Sequence, residues 1–294
     1  MTLVATYVWT RMAFDTQVAL ASTALQSVSF WSLSTGRQAL RSTMLPALFT
    51  AAVAVFWWAT ERAEEGPKRW QLAAFGVLIG ATLYTYIPAR GLWIIFPIFL
   101  VYLAVTNGAA FRRLAPATLA ALGVGLLLAL PLFVYLRAHP GVEQRLTMLD
   151  GPLEALAAGN PTVVLDRAAS FLAGFVIPGC GDNFLAYTIP GRPVFGPVLG
   201  VLFVGGLVIS IARWRDPASA FALVWLAVGV GPSLITGPAA STTRSIAALP
   251  VAYVFPALAA VSASRWVGRQ WDETGTWLIA LAFVGLLILT AVST

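Results

Sequence analysis

Runs of about 17–23 apolar residues recur along the chain between short charged breaks, and nothing else in the sequence restricts its fold as strongly. A hydrocarbon layer roughly 30 Å thick asks for about that many residues per helix. Inside it every backbone N–H and C=O must be satisfied within the segment, which favours helices over any open strand. The runs predict nine complete helices, near residues 16–34, 43–60, 70–87, 91–107, 114–136, 193–212, 218–236, 245–262 and 275–292. The breaks are polar clusters at Glu61–Arg69, Asn107–Arg113, Arg213–Pro217 and Arg265–Glu273. One long polar segment, Arg137–Arg192, divides a transmembrane module at 1–136 from the transmembrane helices at 193–294. The expected fold class is all-α, a polytopic transmembrane helix bundle with one exoplasmic loop region at 137–192. Composition closes the alternatives. With 59% hydrophobic and 10% charged residues, the chain lacks the polar cover that a soluble globule of this size requires.

The segment 2–14 is apolar but meets Arg11 and Asp15 too soon to cross a bilayer, since thirteen helical residues reach only about 20 Å. Two readings stand: a short interfacial or re-entrant helix, or the second half of a helix whose first half is missing from this sequence. Orientation follows from the cations. With the Arg11 turn cytoplasmic, that face gathers ten: Arg11, Arg62, Lys68, Arg69, Arg112, Arg113, Arg213, Arg215, Arg265 and Arg269. The other face holds eight: Arg37, Arg41, Arg90, Arg137, Arg145, Arg167, Arg192 and Arg244. This is a small positive-inside bias, in keeping with a multi-pass protein of a bacterial plasma membrane whose active face is exoplasmic.

The arginines of the outer face carry the functional argument. Arg37, Arg41, Arg90 and Arg244 end helices in short connections, with no acidic residue in their own loops. The outer carboxylates Glu143, Asp150, Glu154, Asp166 and Asp182 all lie in the long loop. A single such arginine ordinarily snorkels to lipid headgroups. Four from separate helices suggest a cavity for a phosphate or diphosphate headgroup, held by forked, charge-assisted hydrogen bonds. Tyr84 and Tyr86 precede the Pro88-Ala89-Arg90-Gly91 reversal; they fit an aromatic belt, and equally a pocket for a phosphate or sugar.

Several stretches resemble one family. Phe30-Trp31-Ser32 followed by Arg37, Arg41 and Pro46 is similar to a Pro-Trp-His, Ser-Arg, Arg and Pro pattern at the same spacings. Tyr84-Thr85-Tyr86 with Ala89-Arg90, Asp182-Asn183 with Pro190-Gly191-Arg192-Pro193, and Arg244 with Ala247-Ala248-Leu249-Pro250 resemble further elements of it. The family is the GT-C superfamily of polytopic membrane glycosyltransferases that use polyprenyl-phosphate or dolichyl-phosphate sugars, of protein-mannosyltransferase and aminoarabinose-transferase type. The resemblance implies sugar transfer from a lipid-phosphate donor, at the outer face, to a glycan, lipid or protein acceptor. It assigns donor-phosphate binding to Arg37, Arg41, Arg90 and Arg244, and the sugar pocket to Tyr84, Tyr86, Asn183 and Arg192. It also implies a catalytic carboxylate in a first outer loop. By the register of Trp31–Arg41, that loop and the first helix are expected to be missing here, so this chain is expected to be N-terminally truncated and inactive alone.

Glycosyl transfer needs a base for the acceptor's proton and a partner for the departing phosphate. Asp182, in the turn-rich Pro178-Gly179-Cys180-Gly181-Asp182-Asn183, and His139, in Arg137-Ala138-His139-Pro140, are the candidates for the first need. Each is also an ordinary turn or helix-end residue. No cofactor is expected, and no His/Cys/Asp cluster has metal-ligand spacing. There is no Walker-type loop and no Gly-x-Ser-x-Gly elbow, and nothing points to nucleic acid. Asn160-Pro161 followed by Thr162, Asp166 and Ser170 against Val163–Leu165, Phe171 and Phe175 predicts an amphipathic helix at the outer surface. Such a helix can wall a groove that admits a lipid, or anchor the loop. Two alternative functions share the arginine lining. A flippase for a lipid-linked saccharide would be expected to place charges at the bilayer midplane, where these helices are nearly free of them. A cell-surface polysaccharide polymerase or ligase would share the substrates.

Overall fold

The computed structural model describes residues 1–38, 41–61, 67–143, 151–185, 188–236, 241–270 and 273–293. Arg62, Arg145 and Asp150 lie outside it, as do the side chains of Glu61, Glu143 and Glu273. Among the described residues the chain is helical throughout and contains no strand. The elements are α1 (Thr2–Ala13), α2 (Thr16–Ser27), α3 (Phe30–Arg37), α4 (Met44–Glu61), α5 (Arg69–Thr82), α6 (Ala89–Leu92), α7 (Ile95–Thr106) and α8 (Gly108–Ala138). They continue as α9 (Gly151–Ala157), α10 (Thr162–Val176), α11 (Pro197–Ala212), α12 (Pro217–Ile235), α13 (Leu249–Ala252), α14 (Val254–Gln270) and α15 (Glu273–Val292).

Five helical stretches among the described residues are long and apolar enough to cross a membrane: Arg41–Thr60, Ala89–Thr106, Gly108–Ala138, Pro217–Ile235 and Ile246–Gln270. They coincide with five of the nine predicted spans. Three of the other four are shorter or interrupted, for local reasons, and the run 275–292 lies within α15. The run 16–34 breaks at Ser29, whose hydroxyl accepts from Ser32 N (3.2 Å) and donates to the Gln26 carbonyl (3.0 Å). That side chain closes α2 and caps α3 together. The run 70–87 stops as a helix at Thr82, where Thr82 and Thr85 hydroxyls turn back on the carbonyls of Ile79 and Thr82. In the run 193–212 the helix starts only at Pro197. The run 114–136 instead extends into α8, 31 residues long with Pro116 and Pro131 inside it.

Residues 2–14 form a helix with one face in the core. Trp9 is fully buried and its ring lies 4.8 Å from that of Trp225. Phe221 on α12 is the hub of the interior, in ring contact with Trp9, Phe56, Trp57, Phe96 and Phe99. In lipid such packing holds helices through dispersion and fit, because the surrounding tails are as apolar as the side chains. Helices α11 and α14 cross closely: a Cβ on Gly206 would sit 1.9 Å from the Phe255 carbonyl oxygen.

The two ends of the bundle carry different chemistry. At one, Arg265 pairs with Asp15 at 2.6 Å and reaches Gln17. Asp15 also caps α2 by accepting from Val18 N (3.0 Å). Burial works against its charge, but the Val18 N–H and then Arg265 outweigh it and hold the carboxyl below its usual range. The other end collects the connections that follow α2, α5, α8 and α12.

Candidate functional site

The glycine-rich stretches singled out in the sequence are two faces of one joint. Gly179 N donates to the Gly191 carbonyl (2.8 Å), Gly181 N reaches the same oxygen (3.4 Å), and Gly191 N donates back to the Asp182 carbonyl (3.3 Å). Gly179 and Gly191 have φ of 87° and 71°, a region that L side chains seldom occupy. At Gly181 a Cβ would lie 1.9 Å from the Arg192 carbonyl oxygen. Pro178–Asp182 and Ile189–Arg192 therefore pack backbone against backbone, and the joint sets where Asp182 and Arg192 point.

Asp182 faces the connection that precedes Arg244. Its Oδ2 accepts from Ser241 Oγ (2.9 Å), Thr242 N (2.8 Å) and Thr242 Oγ1 (3.0 Å), while Oδ1 accepts from Phe184 N (3.0 Å). Ser241 is tied in turn to α12, because Ser233 Oγ donates to the Ser241 carbonyl at 3.0 Å. With both oxygens engaged, the evident work of this carboxylate is to fasten the strap 241–244.

Arg244, at the end of the strap, is half-buried. Burial pushes its pKa down, the nearby Tyr86 and Asp182 act in the opposite sense, and Arg167 lowers it further. Burial also lowers that of Arg167, whose Nη1 donates to the Thr236 carbonyl (3.4 Å) at the other side of the same connection. Arg244 thus lies close to a second guanidinium, a tyrosine and a carboxylate. Arg90 stands on the turn where Ala89 N and Arg90 N donate to the Tyr86 and Ile87 carbonyls (3.0 and 3.1 Å). Its guanidinium carbon lies 5.9 Å from the centre of the Phe133 ring, and the Nε atoms of Arg90 and Arg244 are both buried.

The remaining predicted residues are distributed around this centre. Tyr84 is half-exposed and its hydroxyl donates to the Leu128 carbonyl (2.7 Å), joining the end of α5 to α8. Arg192 lies over the Phe30 ring at 4.2 Å, donates to the Ser293 carbonyl, and has its pKa lowered by burial. Arg37 and Arg41 are exposed, and neither is among the charges that act on Arg244. His139 is exposed, with its ring 4.3 Å from that of Tyr135 and Nδ1 3.0 Å from the Tyr135 carbonyl, a contact local to the end of α8. Among the described residues no group of three His, Cys, Asp or Glu side chains could hold a metal ion.

A cavity of about 130 Å³ opens between α10, the glycine joint and the strap, lined by Phe171, Phe175, Val194, Ser170, Asn183 and Thr242 among others. Arg167, Ser241 and Thr242 had not been singled out as site residues in the sequence. One signal for Arg167 was available: Arg167, Ser170, Phe171 and Gly174 recur at i, i+3, i+4 and i+7, one face of a helix.

The sequence matches no protein-family model and no curated protein. In structure, the chain is similar to the archaeal oligosaccharyltransferase AglB from Archaeoglobus fulgidus in complex with an inhibitory peptide and a dolichol-phosphate, with a TM-score of 0.61 and 15% identity. The apo form of the Archaeoglobus fulgidus oligosaccharyltransferase gives a TM-score of 0.57 and 16% identity. The likeness covers 99% of this chain but only 43% and 42% of those chains. At this identity the likeness shows the fold alone: the chain folds as the corresponding part of the archaeal oligosaccharyltransferase does.

Proposed function

We propose that the chain is the membrane core, or a part of it, of a GT-C glycosyltransferase that moves a sugar from a polyprenyl-phosphate carrier to an acceptor at the exoplasmic face. In this reading 137–192 is the outer region between the membrane modules 1–136 and 193–294. The observation that carries it is the surroundings of Arg244 at the outer end, where a half-buried guanidinium lies close to a second one, Arg167, and to Tyr86 and Asp182. Neighbouring guanidiniums favour anionic groups, and a phosphate ester arriving from the membrane is one. The dolichol-phosphate in complex with the archaeal oligosaccharyltransferase supports a lipid-phosphate donor, and the peptide beside it supports a peptide as acceptor.

The chemistry follows from charge. As the bond between the sugar's anomeric carbon and the phosphate oxygen breaks, negative charge grows on the departing lipid phosphate. Arg244, with Arg90 on the neighbouring turn, stabilises that charge with groups fixed before the reaction begins. Tyr86 offers a hydroxyl to the same anion. Asp182 acts at one remove, by holding the strap that aims Arg244.

Binding is the direct test, since it does not require the remainder of a longer enzyme. Polyprenyl phosphate is titrated against the full chain in phosphatidylcholine nanodiscs. Arg244→Gln is expected to weaken binding about tenfold or more, the loss typical of one charge-assisted contact. Arg37→Gln, at an exposed position, is expected to change it less than about threefold. Equal affinities for Arg244→Gln and the unaltered chain would overturn the reading.

A further inference from the structure

We infer that the turn 213–215, between α11 and α12, is a docking site for an anionic phospholipid of the surrounding bilayer. The lipid's phosphate lies on the guanidiniums of Arg213 and Arg215, and its acyl chains lie along the exposed face of α11. The site is at the opposite end of the bundle from Arg244 and does not depend on the functional reading above.

Helices α11 and α14 run side by side in the same direction. The Phe195 ring, just before α11, lies 5.3 Å from that of Tyr253, just before α14, and further along a Cβ on Gly205 would sit 3.6 Å from the Ala259 Cβ. Their last turns therefore share one end, the end where Arg265 holds Asp15. Three bonds fix the turn that follows α11. Trp214 N donates to the Ile211 carbonyl (3.1 Å), Asp216 N to the Arg213 carbonyl (2.8 Å), and the Tyr102 hydroxyl on α7 to the Arg215 carbonyl (2.8 Å). Asp216 is engaged in capping α12, where its Oδ2 accepts from Ser219 N (3.0 Å) and Ser219 Oγ (2.8 Å). Arg213 and Arg215 are exposed, and the Arg215 guanidinium carbon lies 5.5 Å from the centre of the Trp214 ring.

The surface leading to the turn matches an acyl chain. Val198, Val201, Val204, Val208 and Ile211 are all exposed, and Trp214 follows them. Steps of three and four residues place these side chains on one stripe along the length of α11, ending in the indole. Tryptophan settles where hydrocarbon gives way to headgroups. Its place at the end of the stripe therefore sets the two arginines beside it at the level of the lipid phosphates. An arginine on a mobile chain snorkels to any headgroup within reach. These two project from a main chain tied at three points, so they present a fixed pair. A phosphodiester offers them oxygens for forked, charge-assisted bonds. A zwitterionic headgroup brings its own cation next to the phosphate, which the arginines repel. An anionic headgroup brings none. Charge thus selects an anionic glycerophospholipid, and the apolar stripe selects a lipid over a free phosphate.

The test measures, by native mass spectrometry of the full chain in detergent micelles, its affinity for phosphatidylglycerol and for phosphatidylcholine with the same acyl chains. The unaltered chain should prefer phosphatidylglycerol about tenfold, the reach of two exposed cations on one anionic headgroup. Arg213→Gln combined with Arg215→Gln should bring the two affinities within about twofold of each other. Arg112→Gln combined with Arg269→Gln removes the same charge from other exposed positions and should keep the preference. Millimolar inorganic phosphate should leave the lipid bound. As a second measurement, phosphatidylglycerol brominated on its acyl chains should quench tryptophan emission in nanodiscs more than brominated phosphatidylcholine does, and Trp214→Phe should remove the excess. Equal affinities in the unaltered chain, a preference that survives loss of both turn arginines, one lost equally in the Arg112 and Arg269 variant, or an excess quenching that persists in Trp214→Phe would overturn the site. Displacement by inorganic phosphate would overturn the lipid as its occupant. Each of these results leaves binding at Arg244 untouched.

Discussion

Replacing Asp182 by alanine cuts the fastening of the strap. Three hydrogen bonds from Ser241 and Thr242 and one from Phe184 end on this carboxylate. A bond to a charged group contributes about 1.5–3 kcal/mol when fully buried. The site is only half-buried, and water can replace part of what is lost. About 1 kcal/mol for each strap bond is therefore the reasonable figure, or about 3 kcal/mol in all. That energy is local, because α12 and α14 on either side are held by their own packing. It should appear as easier opening of residues 241–244 rather than as loss of the whole fold. Hydrogen exchange followed by mass spectrometry reads this directly. The Thr242 amide, which donates to Asp182, should exchange on the order of a hundredfold faster in Asp182→Ala, the ratio corresponding to about 3 kcal/mol. Amides in the middle of α12 should be unaffected. Exchange at 241–244 within about threefold of the unaltered chain would refute the argument that Asp182 positions Arg244.

Two other perturbations probe the frame around the site. Gly206→Ala places a methyl group 1.9 Å from the Phe255 carbonyl oxygen, so α11 and α14 must separate; we expect a loss of about 2–3 kcal/mol in an unfolding titration, against little change for alanine at the open Gly123. At the other end of the bundle, the carboxyl of Asp15 is held below its usual range. The folded state thus binds this proton less readily than the unfolded state, so the stabilisation is present above about pH 4 and fades as pH falls through the lower folded value. Asp15 and Arg265 are both partly exposed, which limits the effect to about 1 kcal/mol. Unfolding measured between pH 7 and pH 3 should show that loss in the unaltered chain and a flatter profile in Asp15→Asn.

The helical membrane fold was legible because apolar runs of bilayer length have few other uses. The limits of individual helices were not. Ser29 divides the run 16–34, and Thr82 and Thr85 round off the end of α5, through hydroxyl bonds to nearby backbone. Apolarity averaged over a window does not register such short-range competition. In the site, Arg244 and Asp182 stood out as charges in a chain with few of them, and the structure brings them together. Arg37 and Arg41 matched a family pattern in spacing, yet they are exposed and do not act on Arg244. Spacing along a helix end fixes depth without fixing which neighbour a side chain faces. Arg167 counted in the sequence only as one of the outer cations, because its own loop region supplies acidic residues beside it. The pairing of Gly179 and Gly181 with Gly191 joins residues ten or more positions apart, and no local periodicity announces it.

That glycine pairing has a mechanical consequence. Where two stretches of main chain touch with no side chain between them, there is no cushion to absorb a displacement. Pro178–Asp182 and Ile189–Arg192 are therefore expected to move as one piece, and Arg192 in turn donates to the Ser293 carbonyl. The joint and the seating of α15 are thereby expected to shift together.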